Sequence, residues 1–279
     1  VSNTKGFSHN DLRCGMRFSG DRAVAIHKAI RDACGTVEKM PAHYMTYPNG
    51  GQIVRVNRLS SGRVPSEVVL DRPYLSSFGQ MRIPANLWAA MQRFDAWIEP
   101  AIVSEWSRLM KSYAGSQDRK LSESAIEAAR TWADPTRDVK IARLRAIVLL
   151  EQSHLRCVWS DRKLTSENLH IDHCLPWVVW PCGDLWNLLP VHCEVNLRKR
   201  NKLPGDELLS NVQSKMLDWW SQAYLDSSTP LLAGQFMSEA QASLPSIGTQ
   251  PASPDAVFRG LKLQRWRLKH DQQVPEWHG

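Results

Sequence analysis

The sequence lacks any apolar run long enough to cross a lipid bilayer. The longest uncharged and mainly apolar stretch, residues 173–183, has about half of the roughly 20 residues that a spanning helix needs, and it contains two prolines. The first residues of the chain also lack the apolar core of a secretory signal. We therefore expect a soluble, cytoplasmic protein with no membrane partner.

Cysteine is scarce, and its spacing excludes a disulfide-rich secreted protein. The six cysteines stand at positions 14, 34, 157, 174, 182 and 193, without the spacing of a disulfide framework. Free thiols in a reducing compartment are the simpler interpretation. No internal repeat is visible, and the content of 43% hydrophobic and 23% charged residues excludes collagen-like, wholly disordered and coiled-coil chains.

Positive charge and tryptophan are what the sequence has in excess. Lys and Arg number 35 against 28 Asp and Glu, which gives a net charge of +7 and a pI near 9.2. This balance favours a polyanionic partner such as nucleic acid. Tryptophan occurs 12 times, against 5 Tyr and 6 Phe, which indicates large anchors in helix interfaces or in a groove.

Periodicity and composition divide the chain into three predicted parts, and the expected class is α+β. Residues 1–150 have mainly helical spacing and form the predicted N-terminal domain. Residues 151–204 contain short β-like runs, turn signals, four of the nine His and four of the six Cys. Residues 205–279 are predicted to be a helical extension with a basic tail, interrupted by a loop over 226–253 that is rich in Ser, Pro, Gly and Gln.

One apolar stripe in the N-terminal part has clear helical spacing. Its residues recur at steps of three and four from Leu87 to Tyr113, which places them on one helical face. The face is predicted to pack into a core, with a bend or break at Pro100.

The residues that indicate chemistry lie between Cys157 and Pro204. Asp172 and His173 are adjacent at the end of a β-like run, so both can serve one site only if the chain bends there. Asn196 and Lys199 are three positions apart on a short predicted helix from about 194 to 202, and therefore share one face. One oxygen each from Asp172 and Asn196, completed by water and phosphate oxygens, suits Mg²⁺.

This segment resembles the HNH nuclease domain, the ββα-metal fold. The matching residues are the Asp172-His173 pair followed by Pro176, then Asn187, then Asn196 nine positions later, then Lys199. The family usually has His at the last ligand position, and Asn is the variant found in the HNH domain of CRISPR effector nucleases. The resemblance covers about 50 of the 279 residues.

The resemblance implies a mainly helical α+β protein with an embedded ββα-metal module, and a role for each motif residue. His173 would be the general base, and Asp172 and Asn196 would hold Mg²⁺, Mn²⁺ or Ni²⁺ against the scissile phosphate. Asn187 would tie the loop that orients His173, and Lys199 would face the phosphate or brace the metal site. The expected nucleic-acid contacts come from the basic helix residues Arg198, Lys199, Arg200 and Lys202.

Two departures from the family concern further metal ligands. Many members bind a structural zinc through two Cys pairs. Here the first pair would be Cys157 and residue 160, which is Ser, and the positions of the second pair hold His192 and Val195. These are too few ligands for a closed site, so no structural zinc is expected. His170 shares the strand face of Asp172, which makes it a third ligand, a phosphate contact or a surface residue.

Three functions remain open from the sequence. The first is a metal-dependent HNH endonuclease that nicks or cuts DNA. The second is a catalytically idle HNH module that serves as a DNA-binding or assembly subunit, and the third is a helical interaction protein without nuclease chemistry. The flanking helical segments resemble stand-alone bacterial HNH proteins, which implies phage defence with other defence-system subunits as partners. The oligomeric state and the choice between DNA and RNA stay open.

Overall fold

The computed structural model describes residues 12, 15–60, 62, 64–116, 137–152, 155–244, 247 and 253–279. Helices and strands both occur in it, as expected for an α+β protein. Contacts divide the chain into two units, 1–134 and 135–279. Within the described residues, no helix is both long and apolar enough to span a bilayer.

The first unit combines helices with two short antiparallel strand pairs. The described elements are β1 (Arg17–Ser19), α1 (Gly20–Lys39), α2 (Pro41–Tyr44), β2 (Arg55–Arg58), β3 (Glu67–Val69), α3 (Arg72–Ser76), β4 (Gly79–Arg82), α4 (Ala85–Arg93) and α5 (Asp95–Ser116). Strand β1 pairs with β3, and β2 pairs with β4. The core of this unit forms where α1 packs on β1 and β3, through Phe18, Ala23, Ile26 and Val68.

The apolar stripe of this unit differs from the expectation. Its helical period is correct, since it falls on α4 and α5, and α5 continues through Pro100. None of its described side chains is fully buried: three are half-buried, while Phe94, Ile102 and Trp106 are 51%, 57% and 61% accessible. Periodicity identifies an apolar face but not its partner, and the core of this unit forms elsewhere, on α1.

The second unit is built around one antiparallel hairpin. Its described elements are α6 (Lys140–Gln152), β5 (Leu169–His173), β6 (Leu188–His192), α7 (Cys193–Lys199), β7 (Leu203–Pro204), α8 (Asp206–Asn211), α9 (Gln213–Trp220), α10 (Pro230–Ser243), α11 (Pro254–Gln272) and β8 (Glu276–Trp277). Helices α6 and α7 both contact the two strands of the hairpin. Helix α6 therefore lies in the same unit as the predicted 151–204 module, and the division falls near residue 134 rather than 150.

The loop predicted over residues 226–253 is corrected by the structure. Residues 230–243 form helix α10, which begins at Pro230, a residue suited to the first helical turn. Its Phe236 is fully buried and stacks on Tyr224 at 5.8 Å between ring centroids. The Ser- and Gln-rich composition indicated a loop, but a few buried apolar residues on one face were enough to dock a helix.

The end of the chain is attached next to helix α7. Strand β8 pairs in parallel with β7, which follows α7 after three residues. The guanidinium of Arg265 donates to the carbonyl of Pro204 at 2.9 Å and forms an ion pair with Glu276. Trp277 of β8 belongs to the main core of this unit.

Candidate functional site

Strand β5 presents His170 and Asp172 toward helix α7. The hairpin register pairs Asp172 with Leu189 and His173 with Leu188, and the chain bends directly after His173. Helix α7 begins where Nδ1 of His192 accepts the backbone N–H of Glu194 at 3.3 Å. Because α7 follows β6 without a loop, the helix is held against the strand that carries Asp172.

The Asp172 carboxylate is buried and already has two donors. The indole Nε1 of Trp159 donates to Oδ2 at 2.9 Å. The ammonium of Lys199 lies 3.1 Å from Oδ1 and 3.0 Å from Oδ2. A buried charge of this kind is stable only when it is paired and hydrogen-bonded, and both conditions are met here.

The sequence left Lys199 either to face a phosphate or to brace the metal site, and its burial argues only against the first of these roles. Its side chain is fully buried, and its ammonium also donates to the carbonyl of His173 at 2.7 Å. It lies 5.9 Å from the ring centroid of Trp159. Because its ammonium is buried against Asp172 and the His173 carbonyl, Lys199 braces Asp172 and the end of β5 and is not part of an exposed basic surface.

Asn196 lies one helical turn before Lys199 on the same face of α7. Its side-chain nitrogen is 3.3 Å from Nδ1 of the exposed His170. His170 and Asp172 on the strand thus face Asn196 and Lys199 on the helix, as the two spacings imply. The predicted ligand residues Asp172 and Asn196 lie on these facing surfaces.

His173 is on the other face of β5 and is covered by the loop that follows. The imidazole is 2% accessible, and neither ring nitrogen has a hydrogen-bond partner among the described residues. The ring meets that of Trp177 edge-on at 5.3 Å between centroids. Burial, and to a smaller extent the positive charges of Arg137 and Lys199, lower the pKa of His173 to about 4. The imidazole is therefore neutral near pH 7.

Asn187 ties the loop between the two strands to the start of β6. Its side-chain oxygen accepts the N–H of Leu175 at 2.8 Å. Its side-chain nitrogen donates to the carbonyls of Leu175 at 3.2 Å and Cys182 at 2.9 Å, and the residue is fully buried. These bonds hold the chain just after His173, which is the structural role that the family resemblance implies.

The remaining predicted nucleic-acid contacts are exposed cations near the end of α7. Arg198 lies in the last turn, while Arg200 follows the helix with a positive φ of 52°. Lys202 lies beyond the helix, which ends at Lys199 and not at residue 202. All three side chains face solvent, so they remain accessible to a polyanion.

The positions at which many HNH proteins bind a structural zinc hold residues with other contacts in this chain. Cys157 is a buried free thiol, Val195 is buried in the core, and His192 caps α7. Across the part of the chain that the structure describes, no group of three or more His, Cys, Asp and Glu is placed to hold a metal ion. Asn196 is not one of these four residue types, so a site formed by Asp172 and Asn196 would not count among such groups.

Two tryptophans beside the motif have contacts that spacing does not predict. Trp159 donates a hydrogen bond to Asp172, and the ring of Trp177 covers His173. The Trp159 contact joins two parts of the chain that are 13 residues apart, and the Trp177 contact depends on the irregular loop after His173, so neither follows from a helix or strand period. The high tryptophan content was the one available signal.

Comparison with known proteins informs the first unit only. A family described as a domain of unknown function (DUF8808) matches residues 2–129. No curated protein and no solved structure matches the chain. The family match ends before the hairpin and carries no statement about the residues around Asp172.

Proposed function

We propose that the second unit contains an HNH-type nuclease module and that the protein is a metal-dependent endonuclease that hydrolyses DNA phosphodiester bonds. The observation that carries the proposal is the packing of β5, β6 and α7. This hairpin and helix bring Asp172 opposite the face of α7 that carries Asn196 and Lys199. A strand pair followed at once by a short helix is the order that the ββα-metal resemblance implies.

The donor atoms present fit one hard divalent cation. An ionised carboxylate has about four lone-pair sites. Trp159 and Lys199 make three close contacts with Asp172, two of them at Oδ2, which leaves capacity at Oδ1. Asn196 adds a neutral carboxamide oxygen, and a site with one carboxylate and several water or phosphate ligands is typical of Mg²⁺. When bound, the cation would stabilise negative charge on the phosphate and on the departing oxygen.

His173 is the proposed general base of this reaction. Water attacks phosphorus, its proton passes to the imidazole, and the bond from phosphorus to the 3′ oxygen breaks, which leaves a 5′-phosphate end. The lowered pKa keeps the imidazole neutral at physiological pH, and contact with water would raise this pKa again and so strengthen His173 as a base. Both ring nitrogens are buried, and His173 lies on the strand face opposite Asp172. The imidazole must therefore first reach the water beside the phosphate, and the Trp177 ring is the contact that must move.

The second candidate is a catalytically idle HNH-type module that binds DNA or assembles with other subunits. The observation that favours it is the closed state of the site, since Asp172 is paired with Lys199 and His173 is covered. Exposed cations on and after α7 serve this candidate equally well, because phosphate contacts require only charge.

Plasmid nicking separates the two candidates. The nuclease proposal expects supercoiled DNA to be nicked with Mg²⁺ or Mn²⁺ and to stay intact with EDTA. His173→Ala and Asp172→Asn should abolish nicking, whereas His270→Ala, at an exposed histidine of α11, should leave it unchanged. An absence of cleavage with every divalent ion tested, together with salt-dependent DNA binding, would reject the enzyme and support the idle module.

The proposed biological setting is the cytoplasm of a bacterial cell in phage defence, with other defence-system subunits as possible restraints on cleavage. It rests on the resemblance to stand-alone bacterial HNH proteins alone. Nicking that appears only after a partner subunit is added would support it, and full activity of the isolated chain on any plasmid would argue against it.

A further inference from the structure

We propose that Trp159 is a positioning residue that fixes the Asp172 carboxylate through its indole N–H. The proposal rests on the proposed function, because it concerns the residue assigned to the metal. The indole nitrogen lies 2.9 Å from Oδ2, and both side chains are buried. A neutral donor on an ionised acceptor forms a short and strong hydrogen bond when water is excluded.

The position of Trp159 is set by the backbone of the two residues before it. In a tight turn, the N–H of Cys157 donates to the carbonyl of Arg162 at 2.8 Å. The N–H of Val158 then donates to the carbonyl of Pro190 at 3.1 Å, which ties this turn to β6. The turn that contains Trp159 is therefore hydrogen-bonded to the hairpin that contains Asp172.

The indole ring is held from two sides. The Lys199 ammonium lies 5.9 Å from the ring centroid, and Trp277 of β8 meets the ring edge-on at 5.8 Å. Since β8 pairs with β7 and Arg265 binds both strands, the end of the chain supports the ring. With these two neighbours in place, the ring keeps its N–H directed at Asp172.

The indole N–H decides how the part of Asp172 that is left for a cation is oriented. Lys199 already contacts both carboxylate oxygens, at 3.1 Å and 3.0 Å, and Trp159 adds a second donor at Oδ2, so Oδ1 keeps a free lone pair. Without the indole N–H, the ammonium alone would orient the carboxylate. The free lone pair of Oδ1 would then lose its fixed direction. Loss of such an outer contact typically weakens metal binding by about 10–100-fold.

The test compares two Trp→Phe variants of the full chain. Trp159→Phe removes the N–H and keeps an aromatic ring in the pocket. Trp186→Phe is the matched control, because Trp186 is fully buried and its indole donates to Asp184 and Ser243 at 3.1 Å each, with no contact to Asp172. Mn²⁺ binding is measured by calorimetry, thermal unfolding in EDTA by circular dichroism, and plasmid nicking as a function of Mn²⁺ concentration.

We expect Trp159→Phe to weaken Mn²⁺ binding by about tenfold or more, while Trp186→Phe binds as the wild type does. Excess Mn²⁺ should restore the nicking rate of Trp159→Phe, which a general loss of structure would not permit. Equal Mn²⁺ affinity in Trp159→Phe and wild type overturns the positioning role and leaves the nuclease proposal standing. A wild type that neither binds Mn²⁺ nor nicks DNA overturns both.

Discussion

Replacing Lys199 by methionine should destabilise the second unit by about 3–5 kcal/mol, because a buried carboxylate would lose its charged partner. The ammonium is fully buried and contacts both Asp172 oxygens at 3.0–3.1 Å and the His173 carbonyl at 2.7 Å. Methionine fills most of the same volume, so the cavity contribution is small. After the change, Asp172 keeps only the Trp159 N–H.

Chemical denaturation in EDTA, followed by tryptophan fluorescence, measures this cost. Lys202→Met, at an exposed lysine just beyond the helix, is the control and should change the unfolding free energy by no more than about 0.5 kcal/mol. Adding Asp172→Asn to Lys199→Met removes the orphaned charge, and should recover at least about 1 kcal/mol. Equal stability of the two lysine variants, or no recovery in the double variant, would refute the buried ion pair.

Three further predictions follow from the burial of His173 and Cys174 and from the Trp177 ring that covers His173. The pKa of His173 falls to about 4 in the folded protein from 6.5. Between these pH values only the unfolded chain takes up the proton, so the unfolding free energy should fall by about 3 kcal/mol from pH 6.5 to pH 4. Denaturation of the metal-free protein at several pH values checks this, and His173→Phe should remove that part of the slope; parallel curves would contradict it. Burial also raises the pKa of Cys174 to about 12, so its thiol should resist iodoacetamide at pH 8 until urea is added, whereas the half-buried Cys34 should react earlier, as mapped by mass spectrometry. Trp177→Ala should increase carbethoxylation of His173 by diethyl pyrocarbonate at least about tenfold, since the covering ring is gone; an unchanged rate would show that another group covers the imidazole.

The relations that local periodicity encodes could be predicted from the sequence. Alternation places His170 and Asp172 on one strand face, and a step of three places Asn196 and Lys199 on one helix face. Because β6 runs directly into α7, these two local patterns are enough to bring the faces together.

Contacts between distant turns could not be predicted in this way. Trp159 reaches Asp172 only after the 157–162 turn docks on Pro190, and Trp277 reaches Trp159 from the far end of the chain. The burial of Lys199 also depends on contacts between distant parts of the chain. A lysine in a run of basic residues has the sequence signature of a solvated face, and only the packed hairpin turns it inward.

Opening the closed site by substitution distinguishes a restrained nuclease from an idle module. A ligand opens such a site only by as much as it binds the open form more tightly than the closed form. Here the closed form keeps the Asp172–Lys199 pair and the Trp177 cover over His173. A nuclease restrained by the cover should gain Mg²⁺-dependent nicking when Trp177→Ala removes it, and that gain should disappear in the Trp177→Ala, His173→Ala double variant. An idle module should gain accessibility of His173 in the diethyl pyrocarbonate assay without any nicking. The same substitution therefore distinguishes a base that is merely covered from one that has no reaction to serve.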